Sequence, residues 1–453
     1  MGVASGIQTE LASIVGDDRA SSEPDVCAAF VVDGVSPQCV LYPATVEQVA
    51  EMLKCAASRG LAVIPCGNGT KLGTGAPPRR YVVALCLRDL NRTTYYEPDD
   101  LVASVEPGMT LGALQQMLGQ HRLWLPLDPA GGDRATVGGI LAANSAGPLR
   151  LRYGGPRDMV LGMRVATAEG KIVKTGGRVV KNVAGYDLAK LLIGSYGTLG
   201  VIVEATFKLH PRVATRATWT IDVKSLAAGR EFRRRLLASP LRPLRAVLLN
   251  AAARALMDPA CAKSVDDSQS EIVVEAGGSE RVLARYQTEL GALALSVNAT
   301  MNRVADSAAH DLWDQVADFG NRFARADAAA CVLKTALPIA TAEEFLERAV
   351  AEVQGDGWQL AGVVQLGVGV VEIGFSHAPN LESRSPSPTT VEKLRDTAAD
   401  LGGSMVVTHC PHDLKAKIDV WGAPGDDFET MRKLNAAWDP KSVVAPGRFV
   451  GGL

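Results

Sequence analysis

LDPAGGDRATVGGILAANSAG, residues 127–147, is the stretch that decides the fold of this 453-residue chain. Five of its residues are Gly and five are Ala. Side chains this small leave the backbone bare, so a ligand can approach the peptide groups directly. The apolar GGILAAN core is unusual for a solvated loop, and a buried loop needs partners for its backbone groups. The stretch is therefore predicted to contact a cofactor, with a mobile surface loop as the alternative.

A second glycine-rich loop, GNGTK at residues 67–71, follows a predicted strand at 61–65. Closely spaced glycines let successive N–H groups converge, which suits the diphosphate of a nucleotide. A GxGxxG dinucleotide fold is excluded, because Leu72 stands at the third Gly position and Pro77 and Pro78 forbid the helix that must follow. A hairpin turn is the remaining alternative for this loop.

Three motifs in order resemble the flavin-binding domain of the vanillyl-alcohol oxidase and p-cresol methylhydroxylase type. They are PCGNGT (65–70), DPAGGDRATVGGILAANSAG (128–147) and GYDLAKLLIGSYGTLGVI (185–202). Within that family, the second and third motifs most resemble the smaller flavin subunit of the bacterial glycolate oxidases. The resemblance implies an FAD cofactor whose diphosphate lies over residues 67–71. No His stands beside this loop, where some relatives attach flavin covalently, so the FAD is predicted to be non-covalent.

The same resemblance, carried over motif by motif, implies a set of cofactor-binding residues. Those near the diphosphate, the flavin ring, the ribose or the adenine would be Pro65, Gly67, Asn68, Gly69, Thr70, Lys71, Pro129, Asp133, Thr136, Gly138, Gly139, Asn144, Gly147, Gly200, Ile202 and Arg448. For Arg448, in the closing segment WDPKSVVAPGRF, a surface ion pair is an equal alternative.

The second half of the chain predicts a different fold. From about residue 214, strand-like and helix-like segments alternate twice in approximately the β-α-β-β-α-β order of ferredoxin-like units, although the first unit lacks a clear closing strand. Two such units would make one sheet with helices on one face. We therefore expect an α+β protein with a lead-in, a flavin-binding domain, a ferredoxin-like cap or substrate domain and a C-terminal segment that packs back on the flavin domain: 1–35, 36–213, 214–410 and 411–453.

Composition excludes several classes of function. The net charge of −2 gives no basic surface for nucleic acid. No apolar run reaches the roughly 20 residues that span a bilayer, so contact with the inner membrane face would be peripheral, through a complex. The start of the chain lacks the features of a secretory signal, which predicts a cytoplasmic protein. The eight cysteines are scattered without a CxxC pair, so an iron–sulfur cluster would have to belong to a partner.

The chemistry implied by the resemblance is oxidation of a small 2-hydroxy acid, glycolate, to the keto acid. Weak candidates for a catalytic role are Lys181, Tyr186 and His409, and no metal site is predicted because His409 and His412 do not match the metal ligands of the catalytic relatives. The predicted protein is an FAD subunit of a glycolate dehydrogenase that works beside a sister flavin subunit and an iron–sulfur subunit. The alternatives are a self-sufficient oxidase or dehydrogenase of another hydroxy acid or alcohol, and a non-catalytic flavin-binding subunit.

Overall fold

The computed structural model describes residues 2–179, 186–258, 269–355, 357–377 and 386–453. The chain divides into two compact units. The first unit comprises Met1–Ala146, Gly155–Arg212 and Ala423–Leu453, and the second comprises Gly147–Gly154 and Val213–Gly422. Two pieces therefore lie outside the predicted division: residues 147–154 and 411–422 belong to the second unit. No helix in the described ranges is long and apolar enough to cross a membrane.

The first 212 residues alternate short strands and helices. The elements are α1 (Gly2–Val15), β1 (Ala20–Ser21), α2 (Pro24–Ala28), β2 (Cys39–Leu41), α3 (Val46–Arg59), β3 (Val63–Cys66), β4 (Val83–Cys86), β5 (Thr93–Glu97), β6 (Val102–Val105), α4 (Leu111–Gly119), β7 (Leu123–Trp124), α5 (Val137–Ala142), α6 (Arg150–Tyr153), α7 (Pro156–Met159), β8 (Val160–Ala166), β9 (Ile172–Gly176), α8 (Leu188–Leu192), β10 (Val201–Lys208) and β11 (His210–Pro211).

The first unit contains two main sheets. One has the order β1-β2-β4-β3, with β2, β4 and β3 parallel. The other is antiparallel, in the order β5-β6-β10-β8-β9. The C-terminal segment extends the first sheet, because Val63 N donates to Val443 O and Ala445 N donates to Val63 O, both at 2.8 Å. This pairing brings residues 443–445 beside the start of β3.

Helix α3 has a capping residue at each end. Thr45 precedes it and accepts a hydrogen bond from Gln48 N at 3.2 Å, and Gly60 follows it in the left-handed conformation with φ +65°. Its apolar face, including the fully buried Val49 and Leu53, packs into a core that contains strand residues of both sheets. That shared core fixes β3 and the loop after it relative to the antiparallel sheet.

The remaining elements form the second unit, except for the last helix. They are β12 (Arg216–Val223), α9 (Leu226–Ala238), β13 (Arg245–Asn250), α10 (Ala251–Met257), β14 (Ser270–Gly277), α11 (Glu280–Leu295), β15 (Thr300–Val304), α12 (Asp306–Ala317), α13 (Phe319–Ala326), β16 (Cys331–Ala336), α14 (Ala342–Gly355), β17 (Trp358–Gln365), β18 (Val370–His377), α15 (Pro388–Asp400), β19 (Ser404–His409), α16 (His412–Lys415) and α17 (Phe428–Trp438).

The second unit is built on an eight-stranded sheet of order β15-β12-β14-β13-β17-β18-β16-β19. Each half of this sheet has the ferredoxin-like order, in which the first strand lies between the third and the fourth. The two halves meet where β13 pairs antiparallel with β17. The closing strand that the sequence did not make clear in the first half is β15, which pairs with β12.

Helices cover both faces of this sheet, so the prediction of a single helical face is wrong. On one face α9 and α14 pack directly against the sheet. A Cβ added to Gly229 of α9 would overlap Leu248 of β13, and one added to Gly362 of β17 would overlap Leu346 of α14. On the other face, Trp313 of α12 and Phe319 of α13 join a buried cluster with residues of α10 and the central strands. Helix α10 lies inside the first repeat, between β13 and β14, whereas α12 and α13 lie between the two repeats. A pattern of two simple repeats does not predict these three helices.

Candidate functional site

The loop that follows β3, residues 67–71, forms one wall of a groove in the first unit. Asn68 Nδ2 donates to Arg134 O at 3.0 Å. Lys71 Nζ donates to Ala130 O at 2.5 Å. Both bonds tie this loop to the glycine-rich stretch predicted to bind the cofactor, although the two are some 60 residues apart in sequence.

The glycine-rich stretch forms the opposite wall, at the start of α5. Here Thr136 lies against the backbone of Gly67, and a Cβ added to Gly67 would overlap its side chain. Gly138 approaches Pro107 closely as well: its N–H donates to Pro107 O at 2.8 Å, and an added Cβ would lie 2.8 Å from Pro107 Cβ. Only glycine lets the backbone come this near. The small residues of the motif are therefore required by the close approach of the two walls.

A turn at residues 194–197 completes the groove. Gly194 N donates to Leu141 O at 3.0 Å, and Tyr196 N donates to Ala142 O at 2.9 Å, so the turn is bonded to the end of α5. Gly194 has φ +89° and Tyr196 has φ +53°. The left-handed region suits glycine but is strained for a tyrosine.

The groove consists of two adjoining cavities that share a waist. Residues of the waist line both cavities: Pro65, Cys66, Gly67, Thr136, Gly139, Ala142 and Tyr196. One cavity extends along the start of β10 and is lined by Leu87, Pro107, Gly138, Gly197, Gly200, Val201 and Ile202. The other extends under the 67–71 loop and is lined by Ile64, Asn68, Gly69, Thr70, Lys71, Leu72, Thr74, Ala143, Ala445 and Arg448.

This geometry fits FAD, which has two ring systems joined by a diphosphate. The cavities provide two compartments, and the glycine-lined waist lets a connecting group pass next to the backbone. Asn144, beside the second cavity, holds a buried Oδ1 atom that has no hydrogen-bond partner among the described residues. Its φ of +46° and the packing of its Cβ near Gly194 hold it in place. A buried acceptor of this kind needs a donor, and a bound cofactor could supply one.

Twelve of the sixteen cofactor-binding residues predicted from the sequence line this groove. The other four line neither cavity. Pro129 is buried and Asp133 exposed within the stretch, Asn144 lies next to Ala143 of the second cavity, and Gly147 belongs to the second unit. The role of each residue in binding stays a prediction. The sequence analysis missed Tyr196, although the motif that contains it had been identified.

Arg448 is not in a surface ion pair. Its side chain is about 6 % exposed and lies 3.2 Å from Asp33 Oδ2. Its guanidinium also donates to Leu72 O at 2.6 Å, to Ala76 O at 2.9 Å and to the carbonyl of Thr74. Burial lowers the pKa of Arg448, and Asp33 raises it. Arg448 thus holds residues 72–76, the continuation of the 67–71 loop, against the C-terminal segment.

Of the three catalytic candidates, the structure describes Tyr186 and His409. Lys181 lies outside the described residues. Tyr186 is in the first unit and is 93 % exposed, so it is not a core residue. His409 is exposed at the end of β19 in the second unit, and His412 is exposed at the start of α16. Among the described residues there is no group of three or more His, Cys, Asp or Glu that could hold a metal.

A charged cluster on the sheet of the second unit was missed by the sequence analysis. Lys334 of β16 and Glu372 of β18 are register partners, and Glu372 also pairs with Val363 of β17. Burial lowers the pKa of Lys334, while Glu372 raises it and Arg150 lowers it further. Gln365, two residues from Val363 on the same face, is buried with an Oε1 atom that has no partner among the described residues. The signal in the sequence was one charge inside each of two apolar strands.

A family model described as the FAD-binding domain matches residues 37–176. A second model, described as the C-terminal domain of FAD linked oxidases, matches residues 214–449, which is more than half of the chain. The chain belongs to the FAD-linked oxidase family. It is an FAD-dependent oxidoreductase, as the three motifs and the two-part groove indicate.

Several curated proteins match over nearly their whole length. The glycolate oxidase subunit GlcD of Bacillus subtilis is 24% identical over 436 residues, which cover 91% of this chain and 89% of that protein. A D-lactate dehydrogenase of Archaeoglobus fulgidus is 27% identical, with 91% of each chain covered. A D-2-hydroxyglutarate dehydrogenase of Xanthomonas citri is 35% identical, but only over 38% of this chain.

Solved structures confirm the fold. The 4-ethylphenol oxidase of Gulosibacter chungangensis superposes with a TM-score of 0.77 at 16% identity, covering 98% of this chain and 96% of that chain. A p-cresol methylhydroxylase structure gives a TM-score of 0.75, also at 16% identity. The predicted flavin-binding fold of the p-cresol methylhydroxylase type is therefore confirmed.

Proposed function

We propose that this chain oxidises the CH–OH group of a small 2-hydroxy acid, glycolate or a close relative, and works as the flavin subunit of a larger dehydrogenase. The observation that carries the proposal is a pair of half-buried cations in the second unit, Lys334 and Arg150, near enough to each other for Arg150 to lower the pKa of Lys334. A 2-hydroxy acid presents a carboxylate next to the carbon that is oxidised. Glu372 supplies one negative charge beside these two cations, and a substrate carboxylate would supply the second.

In this proposal the residues of the second unit bind the acid and the groove of the first unit binds the cofactor. Lys334 and Arg150 would hold the carboxylate by charge-assisted hydrogen bonds. Glu372, the register partner of Lys334, would keep the amine protonated, since it raises the pKa that burial and Arg150 lower. The uncharged side chain of Gln365, on the same face of the sheet, would hydrogen-bond the substrate through its Oε1 atom. FAD, when bound, accepts the hydride from the substrate carbon.

The names of the relatives support this substrate class. They include a glycolate oxidase subunit, D-lactate dehydrogenases and D-2-hydroxyglutarate dehydrogenases, all of which are named for 2-hydroxy acids. The glycolate oxidase subunit among these relatives is GlcD. The assignment of this chain to the smaller flavin subunit rests instead on the resemblance of its second and third motifs.

We assign the onward transfer of electrons to a partner with an iron–sulfur cluster. None of the seven cysteines in the described part of the chain forms a disulfide, and no group of three or more potential metal-binding side chains occurs there. Clusters need several closely placed thiolates. A sister flavin subunit beside this chain would complete the assembly that the resemblance implies.

The alternative is a self-sufficient dehydrogenase. One observation favours it: the chain covers 91% of the Archaeoglobus protein that is named simply D-lactate dehydrogenase. The two functions predict different steady-state turnover rates for the chain alone compared with the chain in a complex. We would measure dye reduction with glycolate, D-lactate and D-2-hydroxyglutarate, using the purified chain and then the chain co-expressed with its genomic neighbours. We expect turnover that rises at least tenfold in the complex. Equal turnover in both preparations would favour the self-sufficient enzyme.

A further inference from the structure

Tyr196 is the one large side chain at the waist of the groove. The other six residues that line both cavities are no bigger than proline or threonine. At this waist the two walls are so close that Gly67 could not carry a Cβ. An aromatic ring in such a place occupies much of the surface that a bound molecule would contact, so its presence needs an explanation.

The backbone of Tyr196 is held in a conformation that tyrosine seldom adopts. Its φ of +53° lies in the left-handed region, between Gly194 at +89° and Gly197 at +76°. Such strain persists only when the surroundings enforce it, and it is concentrated at ligand-binding sites. Here the bond from Tyr196 N to Ala142 O, 2.9 Å long, enforces it.

The two ends of the Tyr196 side chain have different environments. Burial raises the pKa of the phenol to about 12, with Arg448 acting in the opposite direction, so the hydroxyl lies within the protein. The ring packs on Phe449, with 5.8 Å between the ring centroids and 30° between the planes. Since the residue also lines both cavities, the surface that it offers to the groove is the aromatic ring.

We propose that the ring of Tyr196 is a cofactor-positioning surface, against which the part of FAD that crosses the waist is packed. The strained turn and the Phe449 ring fix its orientation. Aromatic rings give large contact area with little loss of side-chain freedom, and they add favourable ring–ring contacts. This inference concerns the cofactor only and does not depend on the identity of the hydroxy acid.

The test is a titration of refolded apoprotein with FAD, followed by flavin fluorescence. We expect Tyr196→Phe to keep the Kd within threefold of the wild-type value, because the ring remains. Tyr196→Ala should weaken binding at least tenfold. Tyr196→Gly removes the ring but relieves the backbone, so it should unfold at a higher temperature than Tyr196→Ala and bind FAD as weakly.

Two results would overturn the proposal. One is a Tyr196→Ala variant that is folded and binds FAD with the wild-type Kd. The other is recovery of wild-type affinity in Tyr196→Gly, which would mean that the backbone and not the ring is responsible. Tyr286→Ala, which removes a buried tyrosine of the second unit, serves as the control and should leave the Kd unchanged. If wild-type apoprotein failed to bind FAD, the assignment of the cofactor itself would be at fault.

Discussion

Adding one methyl group at Gly67 should close the waist of the groove. In Gly67→Ala the new Cβ would overlap the side chain of Thr136, which is only 3 % exposed. Both residues line the two cavities, so the open direction for any displacement is into the groove. Overpacking of this kind costs about 1–3 kcal/mol. If the cost falls on the bound state, the Kd for FAD rises about 5- to 150-fold.

A double-mutant cycle isolates this contact. Thr136→Ala removes Oγ1 and Cγ2 of Thr136 and leaves only its Cβ, 2.9 Å from the new methyl group. Adding this change to Gly67→Ala removes the two shorter overlaps, those with Oγ1 and Cγ2, and should therefore restore part of the affinity. Gly60→Ala is the matched control: Gly60 lines neither cavity, its Cβ would meet no atom within 4 Å, and its φ is +65°. That variant should lose thermal stability while keeping its Kd within threefold. Wild-type affinity in Gly67→Ala, or no recovery in the double mutant, would refute this account of the waist.

Three further predictions concern buried charges. Arg448→Lys should lower the free energy of unfolding by about 3–5 kcal/mol, because an ammonium cannot bond Asp33 and the loop carbonyls together; urea denaturation measures this, and an unchanged midpoint would contradict it. Burial raises the pKa of Glu271 to about 7, although Arg254 lies 3.3 Å away. The free energy of unfolding that this carboxyl contributes is fully present below its unfolded pKa. It should fall, by up to about 3 kcal/mol, as the pH rises toward 8. Glu271→Gln should flatten that pH dependence, and an unchanged slope would argue against it. Arg150 lowers the pKa of Lys334, and the substrate carboxylate needs the protonated amine. In Arg150→Gln the amine should therefore stay protonated to higher pH, and glycolate affinity should be lost at a higher pH than in the wild type. An unchanged dependence of KM on pH would mean that Arg150 is not part of the site.

The sequence predicted the flavin-binding half well, because local chemistry decides it. Thr45 caps the start of α3 and Gly60 ends it, and twelve predicted residues line one groove. Motifs of small residues report a close backbone approach wherever the partner lies in the chain. Tyr196 was missed because nothing in the sequence marks a non-glycine residue with positive φ.

The second unit was less predictable, since it depends on long-range pairing. Strand β15 is short and mostly exposed, so it lacks an apolar pattern. The pairing of Lys334 with Glu372 depends on register between strands more than 30 residues apart. Periodicity identifies the strands but not their partners, and a lone charge in an apolar strand is equally consistent with a sheet edge.

The most direct test of the proposed function is anaerobic reduction of the bound flavin in a single turnover. The purified chain with FAD would be mixed with glycolate, D-lactate or D-2-hydroxyglutarate in a stopped-flow instrument, and absorbance near the visible flavin maximum followed. We predict bleaching by at least one of these acids at a rate that saturates with its concentration, and its loss in Lys334→Met with FAD content unchanged. Flavin that dithionite bleaches but none of the acids reduces would contradict the assignment of this chain as a 2-hydroxy-acid dehydrogenase.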